Sequence, residues 1–166
     1  MATEVLAPAA RALSERKRKV RAFADQMAPA RDIWRRRNDY YNAEDLRYLR
    51  FLVPEGRRVL DLGCGTGETL AALKPARGIG VDLSTVAIEL ARQRHPGLEW
   101  RVGDIEDEAT LAPLAGPFDV ILLSDTVGDL EDVEATLARL HPLCSAETRV
   151  IVVYYAKHRA PVLRAA

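Results

Sequence analysis

The sequence predicts an α/β fold, a mostly parallel, doubly wound sheet of about five strands flanked by helices, with an N-terminal helical segment ahead of it. Three observations predict it. From Arg57 onward, short apolar runs alternate with amphipathic stretches, which is the pattern of repeated strand–helix–strand units. The runs at 59–62 and 120–123 are nearly all apolar, as strands covered on both faces of a parallel sheet must be. The first run opens directly into a loop with glycine at 63, 65 and 67. That is a strand–turn–helix junction where positive φ is needed and a ligand can approach the main chain.

Residues 1–56 hold no strand candidate. Leu13, Val20, Phe23 and Met27 recur at roughly helical intervals between charges, and Pro29 interrupts them. Ile33, Trp34, Tyr40 and Tyr41 then lead into Leu46, Leu49, Phe51 and Leu52, and Pro54-Glu55-Gly56 closes the segment. The chain therefore divides into a helical segment at 1–56 and a sheet core at 57–166. With 166 residues and 48% apolar composition, the two are expected to share one core.

The first strand, 58–62, carries Asp61 near its end, and a helix is expected from 69 to 73, where Pro75 breaks it. The second strand, 78–82, ends in Asp82. Ser84 should cap the next helix, which runs through Ile88, Leu90 and Ala91 to His95-Pro96-Gly97. Residues 98–102 alternate as a third strand, followed by Gly103-Asp104-Ile105-Glu106. The most hydrophobic run, 117–123, is the fourth strand and ends in Ser124-Asp125. Val133, Leu137 and Leu140 mark a helix that His141-Pro142 stops, 149–155 is a fifth strand, and 160–166 begins another helical pattern.

Ligands of open parallel sheets bind beyond the carboxyl ends of the strands, which brings the glycine loop, Asp82, Ser124 and Asp125 to one crevice. A dinucleotide fingerprint would need glycine at 68, but Glu68 stands there. Asp61 and Glu68 together place negative charge where a pyrophosphate would lie, so a nicotinamide-dependent oxidoreductase is disfavoured and a cationic ligand favoured. A generic glycine-rich turn is the competing reading. Asp82 is positioned to accept hydrogen bonds from both ribose hydroxyls of an adenosine, or merely to cap the helix that follows.

Formal net charge is zero, yet residues 1–56 hold 12 Lys and Arg against 8 Asp and Glu, and the remainder 12 against 16. The basic runs at 16–19 and 35–37 read as solvated helix faces, so no nucleic acid is expected. Two cysteines without CxxC spacing suggest neither zinc nor disulfides. No secretory leader or membrane-length apolar stretch is visible, and the cytoplasm is the expected location.

V-L-D-L-G-C-G-T-G, G-V-D-L-S, G-D-I-E and F-D-V-I-L-L-S-D together resemble the core of the class I S-adenosylmethionine-dependent methyltransferases over residues 57–155. Tyr40-Tyr41, S-D-T-V-G-D-L and V-V-Y-Y-A-K resemble a bacterial group of the small-molecule type, often encoded beside lipid-linked-sugar glycosyltransferases. The resemblance implies a Rossmann-like fold that binds S-adenosyl-L-methionine, yields S-adenosyl-L-homocysteine and uses no metal. It implies cofactor contacts from Asp61, Gly63, Cys64, Gly65, Gly67 and Asp82, and from Leu83, Asp104, Ile105 and Ser124. In that set Asp104 lies beside the adenine amino group, with Leu83 and Ile105 against the ring. Trp34, Tyr40 and Tyr41 would form a lid, or else only pack the helical segment on the sheet.

The implied acceptor is a small molecule, methylated on oxygen or nitrogen, and no base stands out. Asp125, Tyr155 and His158 fall near the mouth, and each also reads as a surface or packing residue. A module that binds the cofactor without turnover is the alternative. The family's sheet ends in an antiparallel hairpin of sixth and seventh strands, for which the residues after Val153 leave no room. A longer chain, a second copy or a partner domain is therefore expected to complete the fifth-strand edge.

Overall fold

The computed structural model describes residues 12–154. Five strands, β1 (Arg58–Leu62), β2 (Arg77–Asp82), β3 (Glu99–Val102), β4 (Val120–Ser124) and β5 (Arg149–Val153), form one sheet. Every neighbouring pair is parallel, and the order is β3-β2-β1-β4-β5. The chain builds outward from β1 through β2 to β3, then returns to the other side of β1 for β4 and β5. The reversal lies between β1 and β4, and their carboxyl ends are the topological switch point of the sheet.

Side chains alternate across each strand and sort into two layers. Leu60, Leu62, Ile121 and Leu123 enter one buried cluster with Leu111, Leu130 and Leu140, beneath α6 (Glu108–Leu111) and α7 (Val133–Arg139). Val59, Val120 and Leu122 enter the other with Leu49, Leu70, Ile88 and Trp100, beneath α3 (Asp39–Leu52), α4 (Glu68–Ala72) and α5 (Thr85–Arg94). By the same alternation Asp61 shares the face of Val59, so its carboxylate belongs to the layer of α4 and α5.

Ahead of the sheet lie α1 (Glu15–Met27), a 3-10 turn at Ala28–Ala30 that begins around Pro29, and α2 (Arg31–Arg37), which leads into α3. α1 has little apolar anchorage and is tied to the sheet by polar contacts. Arg16 donates to the carbonyls of Leu130 and Gly128 at 3.0 and 2.8 Å, Ser14 pairs with Glu131, and Ser84 Oγ donates to Asp25 at 2.5 Å. Ser84 also caps α5 as expected, accepting from Ala87 N at 3.0 Å.

Three local differences from the sequence reading have physical reasons. β4 begins at Val120 rather than 117, because Phe118 N donates to Leu143 O and the Asp119 carboxylate accepts from Arg58 N at 2.7 Å. α6, which the sequence pattern does not predict, is four residues long and depends on Asp107, whose side chain caps it at Ala109 N. β5 ends at Val153, with Tyr154 outside the strand. The helical pattern at 160–166, Tyr155 and His158 lie outside the described residues. Among the described residues no helix is long and apolar enough to cross a membrane.

Candidate cofactor site

The glycine loop follows β1 at the switch point, and its three glycines answer three different constraints. Gly63 has φ +81°, and a Cβ there would lie 2.0 Å from Thr126 Oγ1. Gly67 has φ +85°, and its Cβ would lie 2.4 Å from the Trp100 ring. Both are required by close packing of the loop against its own fold. Gly65, at φ +55°, has only the Arg31 guanidinium near it, at 3.9 Å, and is the position open to a ligand.

The carboxylates around the loop are buried. Asp82 Oδ2 accepts from Gly65 N and Oδ1 from Ser84 N, each at 2.8 Å, which ties the end of β2 to the loop. Burial pushes its carboxyl above the usual range, the two backbone donors and Arg31 pull it down, and Asp25 adds to the rise. Asp61 is 1% exposed, and its Oδ1 has no hydrogen-bond partner among the described residues. Burial first, and then the neighbouring Asp82 charge, push it up to about 7, with Arg31 opposing. Arg31 is thus the nearby cation for both acids.

A cavity of about 440 Å³ opens above these groups. Gly63, Gly65, Asp82 and Leu83 line it on the loop side, and Asp104, Ile105 and Ser124 beyond. Asp61, Cys64 and Gly67 do not line it. Cys64 packs with the α4–α5 layer, where burial first and then the Asp61 and Asp82 charges hold its thiol well above the ordinary range. The opposite wall is α1 and its continuation, through Lys17, Val20, Phe23, Met27 and Arg31.

Lys17 is 4% exposed; its ammonium donates to Asp104 Oδ1 at 3.0 Å and pairs with Glu106. The basic run at 16–19 is therefore not simply a solvated face, although Lys19 is exposed and pairs only with Glu15. Lys17, Val20, Ala24, Met27 and Arg31 recur three or four residues apart, a helical stripe with a cation at each end. That spacing was legible, and it is the signal for Lys17 and Arg31, which the sequence reading did not single out.

Of the aromatic residues expected as a lid, the two whose side chains are described do not line this cavity. Trp34, 40% exposed, lines a second, smaller cavity, and Tyr40, 82% exposed, lines neither; the side chain of Tyr41 lies outside the described residues. Glu68 is also absent from the main cavity. Burial pushes its carboxyl up, but Thr66 Oγ1 at 2.5 Å, its own backbone and Arg94 at 2.6 Å outweigh that and hold it below the usual range. The negative charge at the loop accordingly comes from Asp61 and Asp82. Asp125 borders both cavities with a non-glycine φ of +55°, a backbone strain of the kind stored at functional sites. Partial desolvation raises its carboxyl, with Arg31 opposing and Asp45 adding.

A glycine loop at the switch point, an acid ending the second strand and a cavity between them form the arrangement of the doubly wound nucleoside-binding proteins. The family model described as a methyltransferase domain matches residues 33–165. The chain belongs to the class I S-adenosylmethionine-dependent methyltransferases.

The dTDP-4-amino-2,3,4,6-tetradeoxy-D-glucose N,N-dimethyltransferase of Saccharopolyspora spinosa is 34% identical over 105 residues, 58% of this chain and 41% of that enzyme. Trans-aconitate 2-methyltransferase of Deinococcus radiodurans is 37% identical over 101 residues, 57% of this chain and 37% of that enzyme. The chain thus spans less than half the length of these curated relatives. A solved S-adenosylmethionine-dependent methyltransferase of Thermotoga maritima matches with a TM-score of 0.68 at 26% identity, covering 80% of this chain and 60% of that one.

Proposed function

We propose that the chain binds S-adenosylmethionine in the cavity above the glycine loop and transfers its methyl group to a small-molecule acceptor. The observation that carries this reading is the charge of the site: two buried carboxylates, Asp61 and Asp82, meet at the loop, and Asp61 Oδ1 has no partner among the described residues. A ligand bearing an ammonium and a sulfonium complements them, whereas a pyrophosphate would add to the repulsion.

The residues present fit that cofactor. Asp82 accepts from the ribose hydroxyls with the lone pairs its two backbone donors leave free. Asp104 Oδ1 is taken by Lys17 and by Glu106 N, so Oδ2 is the atom left for the adenine amino group. Leu83 and Ile105 supply apolar walls for the ring, the Asp61 charge buried beneath the loop favours the ammonium without lining the cavity, and Arg31, above Gly65, answers the carboxylate. Bound there, the cofactor supplies a methyl carbon on a positively charged sulfur, and displacement at that carbon needs alignment above all. Ser124 and Asp125, at the end of β4, border the place from which an acceptor enters.

Calorimetric titration with S-adenosylmethionine, S-adenosylhomocysteine and NAD tests the reading. Micromolar binding of the first two, about −8 kcal/mol, without binding of NAD is the expected result. NAD binding, or a folded protein that binds none of the three, overturns it. Formation of S-adenosylhomocysteine in the presence of an acceptor separates a methyltransferase from a module that only holds the cofactor.

A further inference from the structure

α3 is apolar on two opposite faces. Its inner face sends Leu49 into the core layer of Val59, Val120 and Leu122. On its outer face Tyr40, Tyr48 and Phe51 are 82%, 63% and 81% exposed. At about 3.6 residues per turn, Tyr40, Glu44, Arg47 and Phe51 fall on one stripe, with Tyr48 on its flank. A surface helix ordinarily turns a polar face outward, so three large aromatics grouped on the exposed side mark a surface that meets a partner.

The charges of the stripe point to the partner's identity. Glu44 and Arg47 are a pair 2.7 Å apart within one copy, both open to solvent, and Tyr40 stands near enough to act on Arg47. Over its whole length α3 holds three acids against two arginines, which suits neither an anionic lipid surface nor a nucleic acid. With the acid nearer its start and the base nearer its end, the stripe complements a second copy of itself running the opposite way. A two-fold axis crossing between Asp45 and Leu46 sets Tyr40 of one copy against Phe51 of the other and Glu44 level with Arg47, each pairing made twice. A parallel pair would instead oppose acid to acid and base to base.

We propose that the outer face of α3 is an interface with a second copy of this chain, packed antiparallel about that axis. The helix is about 21 Å long. A contact one helix wide buries less than the roughly 1,200 Å² of stable complexes, so association is reversible, with a dissociation constant on the order of 10 μM. No residue of α3 lines the cofactor cavity, and the interface leaves it open.

Sedimentation equilibrium of the full chain across the micromolar range tests the proposal, on the parent and on Phe51→Glu, Glu44→Lys and the double variant Glu44→Lys/Arg47→Glu. All three positions are exposed, and circular dichroism confirms that each variant is folded. The mass of the parent should rise with concentration from 18.4 kDa toward twice that. Phe51→Glu removes an aromatic anchor and Glu44→Lys sets cation against cation, so each should weaken association about tenfold or more. The double variant restores opposite charges between copies and should return to within about threefold of the parent.

A parent that stays monomeric throughout overturns the proposal, as does self-association indifferent to Phe51→Glu. A double variant as weak as Glu44→Lys alone overturns the antiparallel pairing. A monomeric parent that co-sediments with vesicles of phosphatidylcholine and phosphatidylglycerol, and loses them on Phe51→Glu, assigns the face to lipid instead and equally overturns it.

Discussion

Replacing Asp61 by asparagine should make the ligand-free protein more stable at alkaline pH and poorer at binding its cofactor. The Asp61 carboxyl titrates at about 7 in the fold against 3.8 for an ordinary aspartate. Its folded pKa lies above its unfolded value, so the folded state holds the proton more tightly. Below about pH 4 the group is neutral in both states and imposes no penalty. Between about 4 and 7 the unfolded chain releases its proton and the folded one keeps it, so stability falls by about 1.4 kcal/mol per pH unit. Above 7 both are ionised, and the loss has reached its full extent, about 4 kcal/mol.

An asparagine in its place cannot ionise, so Asp61→Asn should remove that slope and be the more stable protein at pH 8, with little difference at pH 4. Urea unfolding followed by circular dichroism at pH 4, 5, 6, 7 and 8 measures it directly. Parallel pH profiles for the two proteins, or a variant less stable at pH 8, would refute the assignment of a buried, uncompensated charge. Calorimetry on the same samples should show weaker S-adenosylmethionine binding by the variant. In the parent, at pH 6 to 7, binding should release a proton, seen as a dependence of the heat on buffer ionisation enthalpy.

Asp82→Ala removes the acceptor proposed for the ribose and frees Gly65 N and Ser84 N, so the cofactor dissociation constant should rise roughly 100-fold, checked by calorimetry. Gly67→Ala forces an alanine to φ +85° and drives its Cβ into the Trp100 ring, costing about 3 kcal/mol in unfolding experiments and shifting the tryptophan emission. Lys17→Met leaves Asp104 and Glu106 without their cation and should loosen α1 by roughly 3 kcal/mol, read as faster tryptic cleavage within Glu15–Met27 at unchanged global stability.

The sheet was legible because burial on both faces writes itself as apolar runs, and the glycine loop because positive φ leaves few residue choices. Those patterns bring Gly63, Gly65, Asp82 and Ser124 to one crevice, the family resemblance adds Leu83, Asp104 and Ile105, and all seven line the cavity. What stayed hidden depends on distance along the chain. Lys17 reads as one basic residue among four until Asp104 and Glu106, far along the sequence, take its charge out of water. Glu68 reads as charge at the mouth until Arg94 neutralises it from α5. The glycine at 67 carries the motif's spacing, but its physical reason is Trp100 on β3, which no local pattern names.

The site is built around a charge that the protein alone does not balance. Asp61 and Asp82 face Arg31 as their shared cation, yet Arg31 forms no close ion pair with either and also answers Asp125. A lysine or arginine packed directly on Asp61 would stabilise the empty fold and leave no charge for a cationic ligand to meet. With the cation held at a distance, on the first residue of α2, the acids remain short of counter-charge. Binding of a sulfonium and an ammonium can then supply it, while the same guanidinium is free to turn to a carboxylate. The stability that Asp61 costs the empty protein is the free energy available to bind a cofactor of that charge, which is why the asparagine variant should gain the one and lose the other.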